Sequence, residues 1–566
     1  MGFSFFDKAT QTTSIHQLDL AGDMDSKSHE NVFDGVMVQV GDSGKFQKWY
    51  NIIFNLIFVG FATMANFNVI ICLATPEHWC KVPGRELTNF TIEEWKNLTI
   101  PRNELTDAFH TCKMFNSTQE RDAVVECTHG WEYDHTYYHE TIVSQENWVC
   151  QEDMRAPNFL VFGKIGEILG TIFSQLGDIY GRRPIIYAAI ITLLIGRLGL
   201  LVSKGIFILF AIFSLIGNLS ALPLFQTPLV ISVEISSDKD RASIPLLQCI
   251  GWTVGLCIAP MIFWAVGGWV PFLIITSVPV FFFMFIQSYM IESPRWLATK
   301  GETKKCVKEL KKIAKINGTT ISDKVIESLN EQISTPEKSY GIMSLFSSWN
   351  LAKISINTII GWVCFICLYL ILYFNVSNLK GNPFLNYFWQ GLAELPGYFV
   401  GKYLSDAIGR KYTKFLSLVA IAIVAVILAY VLTVSGNVIV ISVCGIIMKL
   451  VSSIVFYAIN LQTLEIYPTC LRQTGYSMGF TVANIFGIFT PYVTYLGTTI
   501  HGSFPYVVIA SLALIGAISG MFIPETLNEK LPETISEAEQ FGADQKIWSF
   551  PKRKISTHKI VSSEEI

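Results

Sequence analysis

Apolar stretches long enough to cross a membrane recur along this chain, and they constrain its fold more than any other feature. A helix needs about 20 such residues to span the hydrocarbon core of a bilayer. We predict twelve spans, near residues 49–74, 157–177, 185–203, 205–233, 243–266, 269–291, 351–376, 383–404, 413–434, 437–460, 474–498 and 504–523. Pro, Gly and polar residues interrupt the stretches 205–233 and 383–404, which is tolerated where a helix faces protein or a water-filled cavity.

The composition agrees with a lipid-embedded chain. Of 566 residues, 51% are hydrophobic and 15% charged, whereas soluble domains carry about 25% charged residues. The net charge of -3 gives no indication of a nucleic-acid partner, and the expected partner at this point is the lipid bilayer. The first 48 residues are polar and the first span is longer than a signal-peptide core, so we expect that span to be retained as an anchor.

The distribution of Lys and Arg predicts the orientation in the membrane. Eight basic residues follow the sixth span, namely Arg295, Lys300, Lys304, Lys305, Lys308, Lys311, Lys312 and Lys315. The turns between spans five and six, nine and ten, and eleven and twelve have none. Because Lys and Arg collect on the cytoplasmic side, we predict a multi-pass plasma-membrane protein with both termini and the central loop in the cytoplasm.

The loop at 75–153 is then extracellular. It contains four cysteines, Cys80, Cys112, Cys127 and Cys150, which predict two disulfides in one of three pairings. It also contains three glycosylation sequons, at Asn89, Asn97 and Asn116. Free thiols and chance sequons are the alternative, which is weakened because both signals fall on the face that the basic residues predict independently. The sequon at Asn317 lies in the cytoplasmic loop, where we expect no glycan.

Three motifs occur twice, in the same order. Gly177–Arg183 and Ser405–Lys411 follow spans two and eight, Glu-x6-Arg motifs begin at Glu234 and Glu465, and Glu292 and Glu525 follow spans six and twelve. Gly181 to Gly409 is 228 residues and Glu292 to Glu525 is 233, which indicates a duplicated six-helix unit, the build of the major facilitator superfamily. We therefore predict five parts: 1–48, 49–291, 292–350, 351–523 and 524–566.

Both copies lie on the predicted cytoplasmic face, where their charges are suited to gating. In each turn Gly permits a tight connection, the acid can pair with an arginine, and the Glu-x6-Arg motifs offer partners. The alternative is that the basic residues only set topology. The gating candidates are Asp178, Gly181, Arg182, Arg183, Glu234, Arg241, Glu292, Arg295, Asp406, Gly409, Arg410, Glu465, Arg472 and Glu525.

With these motifs the chain resembles the organic cation/carnitine transporter family, solute carrier family 22. The resemblance runs from about Phe33 to Leu527 and includes the large first loop with its TIV segment at 141–143. It also includes the GDIYGRRP, ESPRWL and YPT motifs at 177–184, 292–297 and 467–469. The resemblance implies an all-α major facilitator fold, with twelve transmembrane helices in two pseudo-symmetric six-helix bundles.

Ionisable residues inside spans are costly to bury and are candidates for function. Glu394 matches the acid of the family's AELPG-like segment, and Lys449 lies where organic-cation members carry a basic residue, so the resemblance implies that both bind solute. Lys164 and Glu167 share one helix face, so they either contact the solute or neutralise each other. Arg197 either snorkels, pairs structurally or contributes to function.

Aromatic residues complete the predicted site. Trp362 and Tyr369 are seven residues apart, on one face of span seven, and they resemble the family's solute-contacting pair. Trp252 and Phe225 match cavity positions, and Tyr457 is a further candidate in span ten. Aromatic faces attract organic cations by about 0.5–2 kcal/mol. Packing or lipid contact is the alternative for each of these rings.

Asn484 departs from the family pattern, because cation-type members usually carry Asp there and anion-type or carnitine-type members a basic residue. Neither a simple acidic nor a simple basic trap is therefore indicated. We predict a secondary transporter of small organic cations or zwitterions, such as carnitine, β-alanine or a related amine, working by alternating access. The sequence does not identify a coupling ion, whether sodium or proton.

Three alternatives remain open. The first is an organic-anion carrier of the same family, which competition between anions and cations in uptake would reveal. The second is a non-transporting ligand sensor, which would bind without flux. The third is a membrane enzyme, but the sequence has no catalytic triad, metal-ligand cluster or phosphate-binding loop. Cys364 and Cys367 form a CxxC inside a membrane helix, where we interpret them as packing residues, so no metal or cofactor is predicted.

Overall fold

The computed structural model describes most of the chain. The described residues are 31–102, 108–116, 123–237, 243–286, 289–321, 342–379, 381–434, 436–529, 532, 535–546 and 548–550, without the side chains of 31–34, Asp178, Thr299, Thr469, Cys470 and Gln473. Arg241 and the side chain of Asp178, both predicted to act in gating, lie outside this description.

Twelve helices occupy the predicted spans, and we number them α1 to α12. Their bounds are Lys45–Cys72, Arg155–Gln175, Arg182–Val202, Phe207–Ile235, Ile244–Val266, Trp269–Phe285, Trp349–Asn378, Pro383–Ile408, Arg410–Val434, Val438–Ile466, Thr469–Gly487 with Thr490–Thr499, and Phe504–Met521. The fourth is interrupted between Asn218 and Ala221, and the eighth continues through Pro396. Outside the spans lie short helices at Asn31–Val40, Ile92–Thr99, Ile142–Glu146, Gly177–Tyr180, Pro294–Thr299, Thr303–Asn317 and Ile535–Gln540, and 3-10 turns at Arg85–Leu87, Cys150–Glu152 and Ile342–Phe346.

Length and composition separate these helices into two groups. Eight described helices are long and apolar enough to cross a membrane, and α6 is a shorter apolar helix. The remaining three, α2, α8 and α11, contain Lys164 and Glu167, Glu394, and Asn484 respectively. The all-helical polytopic fold class is confirmed, and each of these three less apolar spans contains predicted site residues.

Packing repeats between the two halves. In the first half α1 packs on α5 and α6, while α4 packs on α2 and α3; in the second, α7 packs on α11 and α12, while α10 packs on α8 and α9. Each pair of packed helices in the second half has the numbers of a first-half pair increased by six. The halves meet through α5 with α8 and through α2 with α11, which are equivalent under the same shift. A duplicated unit is the simplest cause of this pattern.

The loop at 75–153 packs on one end of the bundle, which we call the outer face. Disulfides join Cys80 to Cys127 and Cys112 to Cys150, which selects one of the three pairings. Strand His78–Cys80 pairs with Trp131–Tyr133, and Lys113–Phe115 with Val124–Glu126. The backbone N–H of His139 donates to the Gly267 carbonyl, and that of Trp269 donates to the Glu140 carbonyl. The loop thus lies on the same face as the α5–α6 turn. The absence of Lys and Arg from that turn predicts this placement.

The three sequon asparagines, Asn89, Asn97 and Asn116, are exposed on this loop. Exposure is what glycosylation requires, and the modification itself stays a prediction. Asn317 is different, because its side chain holds the opposite end of the molecule together. Its amide donates to the carbonyls of Val40 and Gly41, and its oxygen accepts from the backbone of Phe46.

The opposite end, which we call the basic face, carries both GRR-type turns, the linker helix Thr303–Asn317 and the tail. Part of the tail is ordered against this face. Ile535–Gln540 is helical, and the Asn350 amide donates to the carbonyls of Glu539 and Phe541. Buried Ala538 packs in the same cluster as Leu345.

Candidate functional site

The carboxylate of Glu394 is the centre of the most polar buried group between the halves. It lies on α8 with none of its surface exposed. Its Oε1 accepts from the Tyr369 hydroxyl at 2.8 Å and lies 2.9 Å from the Lys449 Nζ. Its Oε2 accepts from the Tyr398 hydroxyl and the Trp252 indole N–H, each at 3.1 Å. Four donors therefore surround one carboxylate.

These donors explain how a carboxylate is tolerated at this depth. Removing an ion pair from water costs several kcal/mol per ion, which is offset only where geometry is good and further hydrogen bonds satisfy the remaining lone pairs. Lys449 cancels the charge of Glu394, and the three neutral donors from Tyr369, Tyr398 and Trp252 fill the remaining acceptor sites. The group is neutral overall, yet it contains two charges that a ligand can separate.

Lys449 also lies against aromatic faces. Its Nζ is 3.3 Å from the centroid of the Tyr369 ring and 5.3 Å from that of Tyr373. Among the described residues its contacts are the Glu394 ion pair and these rings, and it makes no hydrogen bond of normal geometry. An ammonium beside a carboxylate and over an aromatic ring is the environment in which proteins hold organic cations. The ammonium of Lys449 lies in an environment of this kind.

The first half contributes the aromatic wall of this group. Trp252 on α5 reaches across to Glu394, and the edges of Phe67 and Phe225 pack against its ring with centroids 5.0 and 5.1 Å away. Phe67 also contacts the ring of Tyr373 on α7. The charged residues thus come from the second half and the aromatic residues around them from both halves, so the group spans the interface between halves.

Three predicted residues of the second half lie outside this group. Trp362 is fully buried, donates to the Thr463 hydroxyl at 3.0 Å and packs among Phe456, Tyr476 and Phe480. Asn484 is buried and donates to the carbonyl four residues earlier in α11. Half-buried Tyr457 packs beside Gly401, towards the basic face. None of the three has a described hydrogen bond to Glu394 or Lys449.

The polar residues of α2 satisfy each other, because Lys164 and Glu167 form an ion pair along the helix. Of the two alternatives that the sequence leaves open, this is the one in which the two residues neutralise each other. Arg197 on α3 has none of its surface exposed and donates to the carbonyls of Ala65 and Asn66 at 2.8 and 3.1 Å. The Arg197 guanidinium also donates to the side-chain oxygen of Asn218 at 3.3 Å. Three different helices therefore meet at this guanidinium, and its role is structural.

The outer ends of the halves are joined by tyrosines. The hydroxyls of Tyr492 and Tyr495 on α11 donate to Asn158 and Asp153 at 2.8 Å each. Phe384 at the start of α8 packs against Tyr138 of the loop and Phe263 of α5. These contacts join the halves at the outer face, in addition to the contact at Glu394, as expected for a conformation closed on the outside.

The basic face shows why each repeated glycine accompanies a repeated acid. Glu292 accepts from the backbone N–H groups of Arg182 and Arg183 at 2.7 and 3.1 Å, and Glu525 accepts from those of Arg410 and Lys411 at 3.0 and 3.1 Å. These carboxylates cap the first turns of α3 and α9, where a negative charge is favourable.

The glycines before these turns leave room for the acids. Gly181 and Gly409 have φ of +104° and +92°, and a Cβ at either would lie 2.4 Å from a Glu292 or Glu525 oxygen. A side chain is therefore excluded both by the backbone conformation and by the carboxylate. The two motifs form one structural unit in each half.

The arginines of the turns pair with the glutamates of the Glu-x6-Arg motifs within each half. Arg182 approaches Glu234 at 3.6 Å, whereas Arg410 donates to both oxygens of Glu465 at 3.0 and 2.9 Å. Asp406 lies 3.7 Å from Arg410. Arg295 lies in the short helix Pro294–Thr299, and the buried Nε of Arg472 has no hydrogen-bond partner among the described residues. Gating by these residues stays a prediction.

Comparison with known proteins identifies the family. Residues 104–537 match the family model described as "Sugar (and other) transporter". This chain belongs to that family. It is 26% identical to a β-alanine transporter of Drosophila melanogaster over 90% of this chain and 89% of the relative. It is 28% identical to the carcinine transporter of the same organism over 91% and 80%, and 26% identical to human organic cation/carnitine transporter 2 over 89% and 93%.

These relatives confirm the resemblance to organic cation/carnitine transporters, and both family and relatives point away from an enzyme. Among solved structures, the inward open conformation of the xylose transporter XylE from E. coli superposes with a TM-score of 0.57 at 14% identity, covering 90% of this chain and 99% of that one. This likeness confirms the major facilitator fold of the transporter.

Sequence reasoning missed Tyr398, Tyr373 and Phe67. Tyr398 is four residues after Glu394 and Tyr373 four after Tyr369, so each shares a helix face with a predicted residue and this spacing could have revealed it. Phe67 had no such signal, because only the packing of α1 against α5 and α7 brings its ring to the site.

Proposed function

We propose that this chain is a plasma-membrane secondary transporter of small organic cations or zwitterions, with both termini in the cytoplasm. The observation that carries the proposal is the buried Glu394 carboxylate, paired with Lys449 inside an aromatic enclosure that both halves build. A buried ion pair with four polar contacts is not needed for packing, since an apolar group of similar volume is often as stable.

Binding proceeds by exchange of partners in this proposal. The ammonium of the solute takes the place of the Lys449 ammonium beside Glu394 and over the Tyr369 ring. Lys449 is then free to pair with a carboxylate of the same solute. A zwitterion leaves no charge uncompensated, so it suits the site better than a simple cation or a simple anion.

The names of the relatives support this solute class. They are transporters of β-alanine, of carcinine and of organic cations and carnitine. β-Alanine and carnitine each carry one cationic nitrogen and one carboxylate. In the proposal the cationic nitrogen pairs with Glu394 and the carboxylate pairs with Lys449. The identity of the solute is open within this class.

Transport requires that the site open to each side in turn. Trp252 and Glu394 connect the halves at the site, and Tyr492 and Tyr495 connect them at the outer face. We propose that rocking of the halves breaks the tyrosine contacts and opens the outer side, while the charged units of the basic face re-pair. Alternating access of this kind needs no chemistry beyond hydrogen-bond exchange.

A competition-uptake panel tests the proposal in cells expressing the full chain. Labelled β-alanine and carnitine are the probes, with tetraethylammonium and p-aminohippurate as cationic and anionic competitors. We expect saturable uptake, strong self-competition and weaker competition by the cation than by the zwitterions. Dominant competition by the anion would favour the organic-anion alternative, and saturable binding without flux would favour the sensor.

A further inference from the structure

A second polar pocket lies on the basic face, away from Glu394. It has a volume of about 480 Å³, part of it open to solvent. It lies between the first turns of α7 and α9, the end of α12 and the tail. The charged residues that line it are Lys353, Lys411 and Lys546, and its described lining contains neither Asp nor Glu. Three positive charges converge here without an acid among the lining residues.

Lys411 is the residue that most needs a partner. Only 2% of its surface is exposed, and its ammonium has no described hydrogen bond or ion pair. Glu525 is the acid whose charge acts on it, but this carboxylate already accepts four backbone N–H groups, those of Arg410, Lys411, Thr526 and Leu527. The Lys411 side chain is almost entirely buried where it lines the pocket, so its ammonium favours an incoming anion.

The pocket wall is built from ordered contacts. The side chain of Gln545 bridges both backbone groups of Glu525, accepting from its N–H at 2.8 Å and donating to its carbonyl at 3.1 Å. Asn350 donates to two tail carbonyls at 3.0 and 3.1 Å. The tail is thereby held against α7 and the end of α12, with Lys546 turned to the pocket.

Aromatic residues place this pocket at the level of lipid headgroups. Trp349, Trp548 and Phe550 are 85%, 68% and 77% exposed, and Phe522 in the pocket lining is 41% exposed. Exposed Trp at the end of a membrane helix is typical of the membrane–water interface. A basic pocket at that level faces the phosphates of the adjacent leaflet.

We infer that this pocket binds the phosphorylated headgroup of an anionic lipid of the cytoplasmic leaflet, such as a phosphoinositide. The phosphate pairs with the Lys411 ammonium, while exposed Lys353 and Lys546 contact the outer part of the headgroup. The same lipid bridges α7, α9 and the tail. Free phosphate compounds share this chemistry, but the exposed aromatic residues around the pocket favour the lipid source. The inference does not depend on the solute proposed for the Glu394 site.

Native mass spectrometry of the purified full-length protein tests the inference. The probe is phosphatidylinositol 4,5-bisphosphate titrated against a phosphatidylcholine background. We expect a saturable adduct that is about 10- to 30-fold weaker in the Lys353→Gln/Lys546→Gln variant, since each lysine near anionic headgroups contributes several-fold in affinity. Both side chains are exposed, so the variant keeps the buried Lys411 and its fold.

Two matched variants separate the pocket from general surface charge. Lys304→Gln/Lys305→Gln removes two lysines of the linker helix, and Lys552→Gln/Lys554→Gln removes two of the tail beyond the described residues. Both are expected to bind the lipid as the wild type does. Equal weakening in either variant, or unchanged binding in Lys353→Gln/Lys546→Gln, would overturn the assignment.

Soluble inositol 1,4,5-trisphosphate distinguishes the lipid from a free phosphate ligand. It presents the same phosphates without acyl chains, so we expect it to compete at least tenfold more weakly than the lipid. Competition at equal concentration would show that the membrane contributes nothing and would overturn the lipid source.

Discussion

Lys449 and Arg197 are both fully buried cations, one in each half of the molecule, and their partners differ in kind. Lys449 pairs with the Glu394 carboxylate at 2.9 Å. Arg197 is held by the carbonyls of Ala65 and Asn66 and by the amide of Asn218. A carboxylate can exchange one cation for another, whereas the backbone carbonyls are fixed in position within their helix.

The difference separates a binding charge from a structural charge. Arg197 reaches α1 and the break in α4, so its hydrogen bonds fix how three helices meet. Lys449 reaches one carboxylate and the rings of Tyr369 and Tyr373, so the ion pair is its main polar contact. Burial alone does not distinguish the two residues; the chemistry of the acceptor does.

The largest expected effect comes from splitting the Glu394 pair. Lys449→Gln leaves a buried carboxylate uncompensated, which destabilises the protein by about 3–5 kcal/mol, measured as loss of folded protein in detergent-resistance assays. The double variant Glu394→Gln/Lys449→Gln removes both charges and should recover most of this stability. We expect neither the single nor the double variant to take up the solute. Full uptake by the double variant would show that the pair is structural, as Arg197 is.

Arg197→Lys keeps the charge but loses the planar set of donors. Two hydrogen bonds to a charged group are removed or weakened, so we expect a loss of about 3 kcal/mol in stability. The molecules that fold should transport with an unchanged KM, because Arg197 does not contact the Glu394 group. A rise in KM at a constant amount of folded protein at the cell surface would contradict the structural role of Arg197.

Tyr369→Phe sharpens the comparison on the Lys449 side. The ring over the Lys449 Nζ is kept, and only the hydroxyl that donates to Glu394 is lost. A hydrogen bond to a charged acceptor contributes about 1.5–3 kcal/mol, so we expect KM to rise about tenfold and the stability to fall by no more than this amount. Tyr412→Phe, at the basic end of α9, serves as the matched control. An unchanged KM in Tyr369→Phe would remove this hydroxyl from the site.

Asn218→Ala gives the smallest expected effect. It removes the longest of the three Arg197 hydrogen bonds, at 3.3 Å, and leaves both carbonyl partners in place. We expect a stability loss of about 1 kcal/mol, seen as a small decrease in melting temperature, and unchanged transport kinetics. A loss as large as that of Arg197→Lys would mean that Asn218, rather than the carbonyls, holds the guanidinium.

Sequence patterns predicted the fold and part of the site for identifiable reasons. Hydropathy gives the twelve spans, and the repeated Gly-Arg and Glu motifs give the two halves, because duplicated units repeat their local sequence. Glu394, Lys449, Tyr369 and Trp252 were predicted, and the structure brings all four together. Their assignment to solute binding stays a proposal.

Other features depended on tertiary packing that no local pattern encodes. Trp362 lies on the same face as Tyr369 by helical spacing, yet α10 and α11 enclose it in an aromatic cluster. The carbonyl partners of Arg197 come from α1, far away in sequence. The disulfide pairing and the role of Asn317 as a hydrogen-bond centre likewise follow from contacts between distant segments.

Equilibrium binding tests the central claim most directly, namely that Glu394 receives the cationic group of the solute. Labelled β-alanine and carnitine are titrated onto equal amounts of folded, purified wild type and Glu394→Gln, with Glu167→Gln, whose acid pairs within α2, for comparison. The account predicts saturable binding by the wild type, a loss of about 100-fold or more in Glu394→Gln and little loss in Glu167→Gln. Equal affinity in the wild type and Glu394→Gln would contradict it.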